Sequence, residues 1–131
     1  MVQRKVNPWK WQDQYGFSQG IEVSNASRVL YCAGQTSVDD TGKPMHVGDM
    51  RKQIEQAFRN LETVLKAASF SLANVVRLNY YTTDIEGFLS ASDIVASRLA
   101  DSGSQPPGTL LGVSKLAFPG LMIEMEATAV K

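Results

Sequence analysis

The chain has 131 residues, 44 % of them apolar and 20 % charged, enough to bury one core and too few for two independent ones. Thirteen basic residues balance thirteen acidic ones, and no run of Lys or Arg forms a stripe, so there is little electrostatic basis for gripping nucleic acid. A single cysteine, Cys32, and a single histidine, His46, exclude an internal disulfide, a His-rich metal site and a Ser-His-Asp triad built on any other histidine.

The start, MVQRKVNPWKWQ, has no apolar segment of signal-peptide length, and nowhere do about 18 consecutive apolar residues occur. A soluble, cytoplasmic protein with no membrane partner is expected. NPWKWQDQYGF then sets Trp9, Trp11, Tyr15 and Phe17 at mostly alternating positions, either packed against the fold or forming an aromatic rim at a ligand mouth.

GFSQGIEVSNASRVLYCAGQ reads as two strands, Phe17 to Val23 and Arg28 to Ala33, paired as a hairpin through the polar turn SNAS. TSVDDTGKPMHVGD follows as a loop rich in Asp, Gly and Pro, with His46 exposed and without the Asp or Cys neighbours of a metal site. From Asp49, a plausible N-cap, residues Ile54, Ala57, Phe58, Leu61, Val64, Leu65 and Ala68 recur at spacings of three and four. They form the dry stripe of a helix of about five turns.

NVVRLNYYTTD, rich in β-branched and aromatic residues, predicts a strand from Val75 to Thr82. Tyr80 and Tyr81 face opposite sides of it, so one at most reaches a shared cleft, and position favours Tyr81. Helical spacing returns through Phe88, Ala91, Ile94, Val95 and Leu99 and stops at Gly103. The last two strands, Thr109 to Leu116 and Leu121 to Val130, flank the turn AFPG.

The order ββαβαββ predicts an α+β two-layer sandwich, a mixed sheet with both helices on one face. Leu110, Leu111, Val113, Leu121, Met122 and Ile123 put apolar groups on both sides of their strands, where a water-facing sheet would alternate more cleanly. A second protein surface over the other face is expected, and a copy of the same chain is the default.

Alternation in the last strand places Met122, Glu124, Glu126 and Thr128 on one side and Leu121, Ile123, Met125, Ala127 and Ala129 on the other. Glu126 reads as solvated. Glu124 is either solvated too or lines a cleft between subunits as a proton acceptor or donor. Cys32, after Tyr31 in an apolar strand, reads as a small buried hydrophobe.

GFSQGIEV, VLYCAGQTSVDDTGKP, QAFRNLETVLKAASFSLANVVRLNYYTTD and PPGTLLGVSKLAFPGLMIEMEATAV together resemble the RidA/YjgF family across nearly the whole chain. That resemblance implies a chorismate-mutase-like fold in a homotrimer, sheet faces packed together, with a small-molecule cleft between subunits. It also implies hydrolysis of reactive enamines and imines without a metal or organic cofactor. In the best-known members an arginine in P-A-R-[ST]-[TC]-V pairs with the substrate carboxylate, for which a guanidinium fork is suited. A glutamate in the last strand helps place the attacking water, and that role carries over to Glu124.

Here Gly108 stands at the arginine position, followed by Thr109 and Leu110; Phe17 replaces a tyrosine, and Cys32-Ala33 precede Gly34 where a serine or threonine is usual. With Tyr81, these residues are the expected lining of the cleft. Losing the bidentate contact costs a few kcal/mol, or about a hundredfold or more in rate. Efficient 2-imino acid hydrolysis is therefore not expected, unless Arg77 or Lys115 supplies the missing charge, and Gly108→Arg is expected to introduce or raise it. A divergent deaminase acting on a substrate without the carboxylate and a non-catalytic metabolite-binding homotrimer both fit. A ribonuclease, a label sometimes attached to the family, fits poorly with zero net charge and no second histidine.

Overall fold

In a computed structural model that describes residues 1–131, the dry stripe read from the sequence becomes the centre of the core. The first helix, α1, runs Met50–Ala67, and Asp49 caps it by accepting a hydrogen bond from the Lys52 backbone amide at 3.0 Å. Ile54, Ala57, Phe58, Leu61 and Leu65 are fully buried. They lie beneath the inward residues Ile123, Met125, Ala127 and Ala129 of the last strand, β7 (Ile123–Val130), so burial of about 1.5–3 kcal/mol per large side chain fixes the helix on the sheet.

Seven strands form two sheets: β1 (Val2–Val6), β2 (Gly20–Ser24), β3 (Val29–Tyr31), β4 (Gln35–Thr36), β5 (Val75–Thr82), β6 (Leu110–Gly112) and β7. The main sheet has the order β3-β7-β5-β6, with β4 also on β7. Only β5 and β6 are parallel, because a crossover joins them through α2 (Ile85–Ser90) and α3 (Ser92–Ser102). The second predicted helix is thus two helices, broken at Ala91; Gly103, in the left-handed region, closes α3.

The expected hairpin between residues 17–23 and 28–33 does not form. β2 pairs instead with β1, a strand not anticipated, in the register Val2↔Ser24 to Val6↔Gly20. Asn25 at φ 58° turns the chain out of β2, and the amides of Ser27 and Arg28 then both donate to the Lys131 carbonyl. That pulls β3 onto the edge of β7 rather than back along β2. The strand expected from Thr109 to Leu116 is only three residues long; its pairing with β5 ends in one further bond, from the Val113 amide to the Thr82 carbonyl.

Helices cover one face of the main sheet, an α+β arrangement. The other face carries Tyr31, which is 79 % exposed, with Val29 and Leu111 each 49 % exposed. No helix is long and apolar enough to cross a membrane.

Candidate functional site

Strand alternation makes two sites on opposite sides of β5. Register sets Tyr81 beside Glu124 and Asn79 beside Glu126 on the uncovered face, while Thr36 of β4 meets Glu124 from the other side. The two glutamates then part company. Glu126 accepts the Tyr81 hydroxyl at 2.9 Å and the Asn79 amide at 3.2 Å. Holding that proton for Glu126 raises the Tyr81 pKa above its ordinary value, with desolvation adding to the effect. The Glu124 carboxylate, by contrast, forms no hydrogen bond and no ion pair within the chain. Its carboxylate lies across Gly34, so closely that a Cβ at position 34 would fall 1.9 Å from Oε1; glycine is what lets the backbone pass there.

Two amides on α1 hold the strands around that carboxylate. Gln53, fully buried, donates to the carbonyls of His46 and Gly120 and accepts from the Met122 amide at 2.8 Å. Asn60, two helical turns on, donates to the carbonyls of Thr36 and Val38. One fixes the entry to β7 and the other fixes β4, so Glu124 stands between two anchored segments. His46, expected to be exposed, is half-buried at φ 59° because its carbonyl belongs to the Gln53 clamp.

The resulting groove, about 300 Å³, is lined by Gly34, Tyr81, Val113, Lys115, Glu124 and Glu126 together with Leu116. Of the two other cations considered, Lys115 therefore borders Glu124. Arg77 lies farther along the sheet, in a depression shared with Tyr31, Cys32 and Glu126. Cys32 is buried, which pushes its thiol pKa up and keeps it inert. Ala33 is exposed, its carbonyl accepting from the Gln35 amide.

Phe17, Gly108, Thr109 and Leu110 are elsewhere. They line a pocket of about 290 Å³ on the helix side, with Tyr15, Tyr80, Phe88, Ser92 and Leu99 among its other walls. No wall carries a charge. The aromatic segment is not extended but forms a single 3-10 turn, Trp11–Tyr15. Trp11 meets Phe17 edge-on at 5.7 Å, and Tyr15 and Phe17 reach the pocket while Trp9 stays outside it. Position in the sequence favours Tyr81, whereas it is Tyr80, Phe88 of α2 and Ser92 of α3 that reach this pocket.

At Gly108 the structure goes beyond a missing side chain. A Cβ there would sit 1.7 Å from the Leu78 carbonyl oxygen, and the flanking bonds from Leu78 N to Pro107 O and from Tyr80 N to Thr109 O lock that approach. Any side chain at 108 therefore requires the Pro107–Thr109 backbone to shift away from β5, so Gly108→Arg carries a structural cost besides adding the guanidinium. No group of three or more His, Cys, Asp or Glu side chains is placed to hold a metal ion.

The chain matches the family described as Endoribonuclease L-PSP over residues 12–131. A RutC family protein of Pyrococcus horikoshii is 30% identical over 115 residues, 88% of this chain and 86% of that protein. A mouse protein named 2-iminobutanoate/2-iminopropanoate deaminase is 30% identical over 115 residues, 88% and 81% of the two chains. Among solved structures, a protein of unknown function of the Rid family from Yersinia pestis superposes with a TM-score of 0.87 at 32% identity, covering all of both chains. A YjgF/YER057c/UK114 family member from Mycobacterium tuberculosis gives 0.67 at 26%, covering 99% of this chain and 100% of that one. With the family model matching residues 12–131 and the fold superposing over the whole chain, the chain belongs to the RidA/YjgF family.

Proposed function

We propose that this protein is a homotrimer with a cofactor-free small-molecule cleft between subunits, in which Glu124 directs water onto an enamine or imine that lacks a carboxylate. The observation that carries the proposal is the Glu124 carboxylate itself, held over Gly34 and bonded to nothing in its own chain, so that it is free to accept a proton from water. An enamine first tautomerises to its imine; water then adds to the C=N carbon as Glu124 takes one of its protons and passes it to nitrogen, and the carbinolamine hydroxyl gives its remaining proton to nitrogen as the C–N bond breaks, so that ammonia leaves and a carbonyl remains.

The separation of the two half-sites supports the trimer. Glu124, Gly34 and Tyr81 lie on one side of the sheet and Phe17, Gly108, Thr109 and Leu110 on the other, so a cleft holding both sets takes them from different copies. A partner copy also covers Tyr31, Val29 and Leu111. The name of the mouse relative, a 2-iminobutanoate/2-iminopropanoate deaminase, supports the reaction class but not its acidic substrate, because Gly108 offers no guanidinium.

A non-catalytic role in binding a metabolite is the second reading, and the uncharged pocket at Gly108 favours it. Ammonia release separates the two. For the enzyme, an uncharged imine is hydrolysed, freshly generated 2-aminoacrylate is processed at least about a hundredfold more slowly than by arginine-bearing relatives, and Glu124→Gln lowers the rate by about 100-fold or more. No release from any imine leaves the binding role. Light scattering that finds a stable monomer overturns the shared cleft in both readings.

A further inference from the structure

The helix-side pocket has no charged wall, yet one of its walls is a phenol with nothing to bond. Tyr80 is held on three sides. Its neighbours in register are Leu110 on β6 and Met125 on β7, its amide donates to the Thr109 carbonyl at 2.8 Å, and its ring tilts at 47° against Phe88 with centroids 5.3 Å apart. The hydroxyl nevertheless makes no hydrogen bond within the chain, although the neighbouring Tyr81 hydroxyl does. It is not sealed in, as the unpartnered Ser18 hydroxyl is, so a ligand can reach it.

We propose that this pocket binds an uncharged, largely apolar molecule bearing one carbonyl or imine acceptor, and that the Tyr80 hydroxyl is the donor that orients it. This rests on the reading of the pocket as one half of the cleft. A volume of about 290 Å³ is at the low end for ligand sites and fits a molecule built around a single ring. An anion is disfavoured: no Lys or Arg lines the pocket, the Leu78 carbonyl oxygen closes the position from which an arginine would reach it, and an unpaired carboxylate is strongly disfavoured in such surroundings. Burial pushes the Tyr80 pKa far up, so the phenol keeps its proton and acts as a donor throughout the physiological range. Tyr15 and Thr109 are exposed residues, open to water, and the half-buried Ser92 hydroxyl, on α3, is the other polar group on the wall.

Three probes of one ring size test this by NMR titration of the full chain: acetophenone with a carbonyl acceptor, ethylbenzene with none, and benzoate with a charge. Acetophenone is expected to bind about tenfold more tightly than either of the others. Tyr80→Phe removes that advantage and leaves ethylbenzene binding unchanged, which also reports that the pocket is intact. Benzoate binding as well as acetophenone does, or acetophenone keeping its advantage without the hydroxyl, or none of the probes binding, overturns the proposal. The wild-type ranking decides it even if the variant fails to fold. None of these probes has a C=N bond, so failure here leaves the Glu124 dependence of ammonia release standing, and the reverse also holds.

Discussion

Tyr80 and Tyr81 are adjacent in the chain and chemically far apart. Tyr80 enters an uncharged pocket roofed by Phe88 and Leu99, and burial alone raises its pKa. Tyr81 enters a groove shared with Glu124, Glu126 and Lys115, and its pKa rises chiefly through the hydrogen bond it donates to Glu126. One step along a strand reverses the face, so β5 serves an apolar site and an acidic one with consecutive residues. A single copy cannot bring the two together, and the glycine on each side marks how tightly each is built.

Gly108 is the more demanding of those glycines. An added methyl meets the Leu78 carbonyl, which is backbone and cannot swing aside. Gly108→Ala should therefore force the Pro107–Thr109 segment off β5 and strain the two backbone bonds there, at a cost of about 2–4 kcal/mol. Urea unfolding reads this directly. A loss below about 1 kcal/mol would mean that the segment is loose, and the pocket with it.

Gly34 faces a softer neighbour, the free end of the Glu124 side chain. Gly34→Ala should cost only about 1 kcal/mol, the scale of a side chain pushed from its preferred rotamer, while moving the carboxylate out of the groove. Stability close to wild type with loss of any Glu124-dependent ammonia release is the expected result. A loss as large as that at Gly108 would show that the carboxylate is wedged in place and not free to handle water.

Much of this was legible in the sequence where period and chemistry agree. The stripe of α1, its Asp49 cap, the bounds of β5 and the two faces of β7 all follow from spacing, since one side of each element is dry. The pairing of β2 was not legible. GFSQGIEV and SRVLYCA look like hairpin partners through SNAS, and the competing partner Val2–Val6 carries Arg and Lys where a strand signal would be apolar. Its Arg4–Glu22 pair at 3.3 Å is exposed and adds little. For the site, family motifs identify Glu124 and the departure at Gly108, but no spacing reveals that the Leu78 carbonyl occupies the place of an arginine side chain, because that contact joins residues 30 positions apart through a parallel pairing. Nothing in the spacing of α1 marks Gln53 and Asn60; only coordinates show them turned inward onto backbone groups near β7 and β4.

The smallest effect separates the causes acting on the two tyrosines. Glu126→Gln removes the carboxylate to which Tyr81 donates, so the Tyr81 pKa should fall back toward the ordinary value of about 10, while that of Tyr80, raised by burial on the other face, should not move. Because the folded pKa of Tyr81 is raised, its contribution to stability is complete below about pH 10 and is lost as the pH climbs through the folded value. The variant gives up that contribution, so its stability at neutral pH should drop slightly and its decline above pH ~10 should weaken. Carbon-13 labelling at tyrosine Cζ follows both phenols separately in one titration. Were Tyr80 to shift together with Tyr81, the sheet would not be insulating its two faces, and the division of this chain into an acidic groove and an uncharged pocket would fail with it.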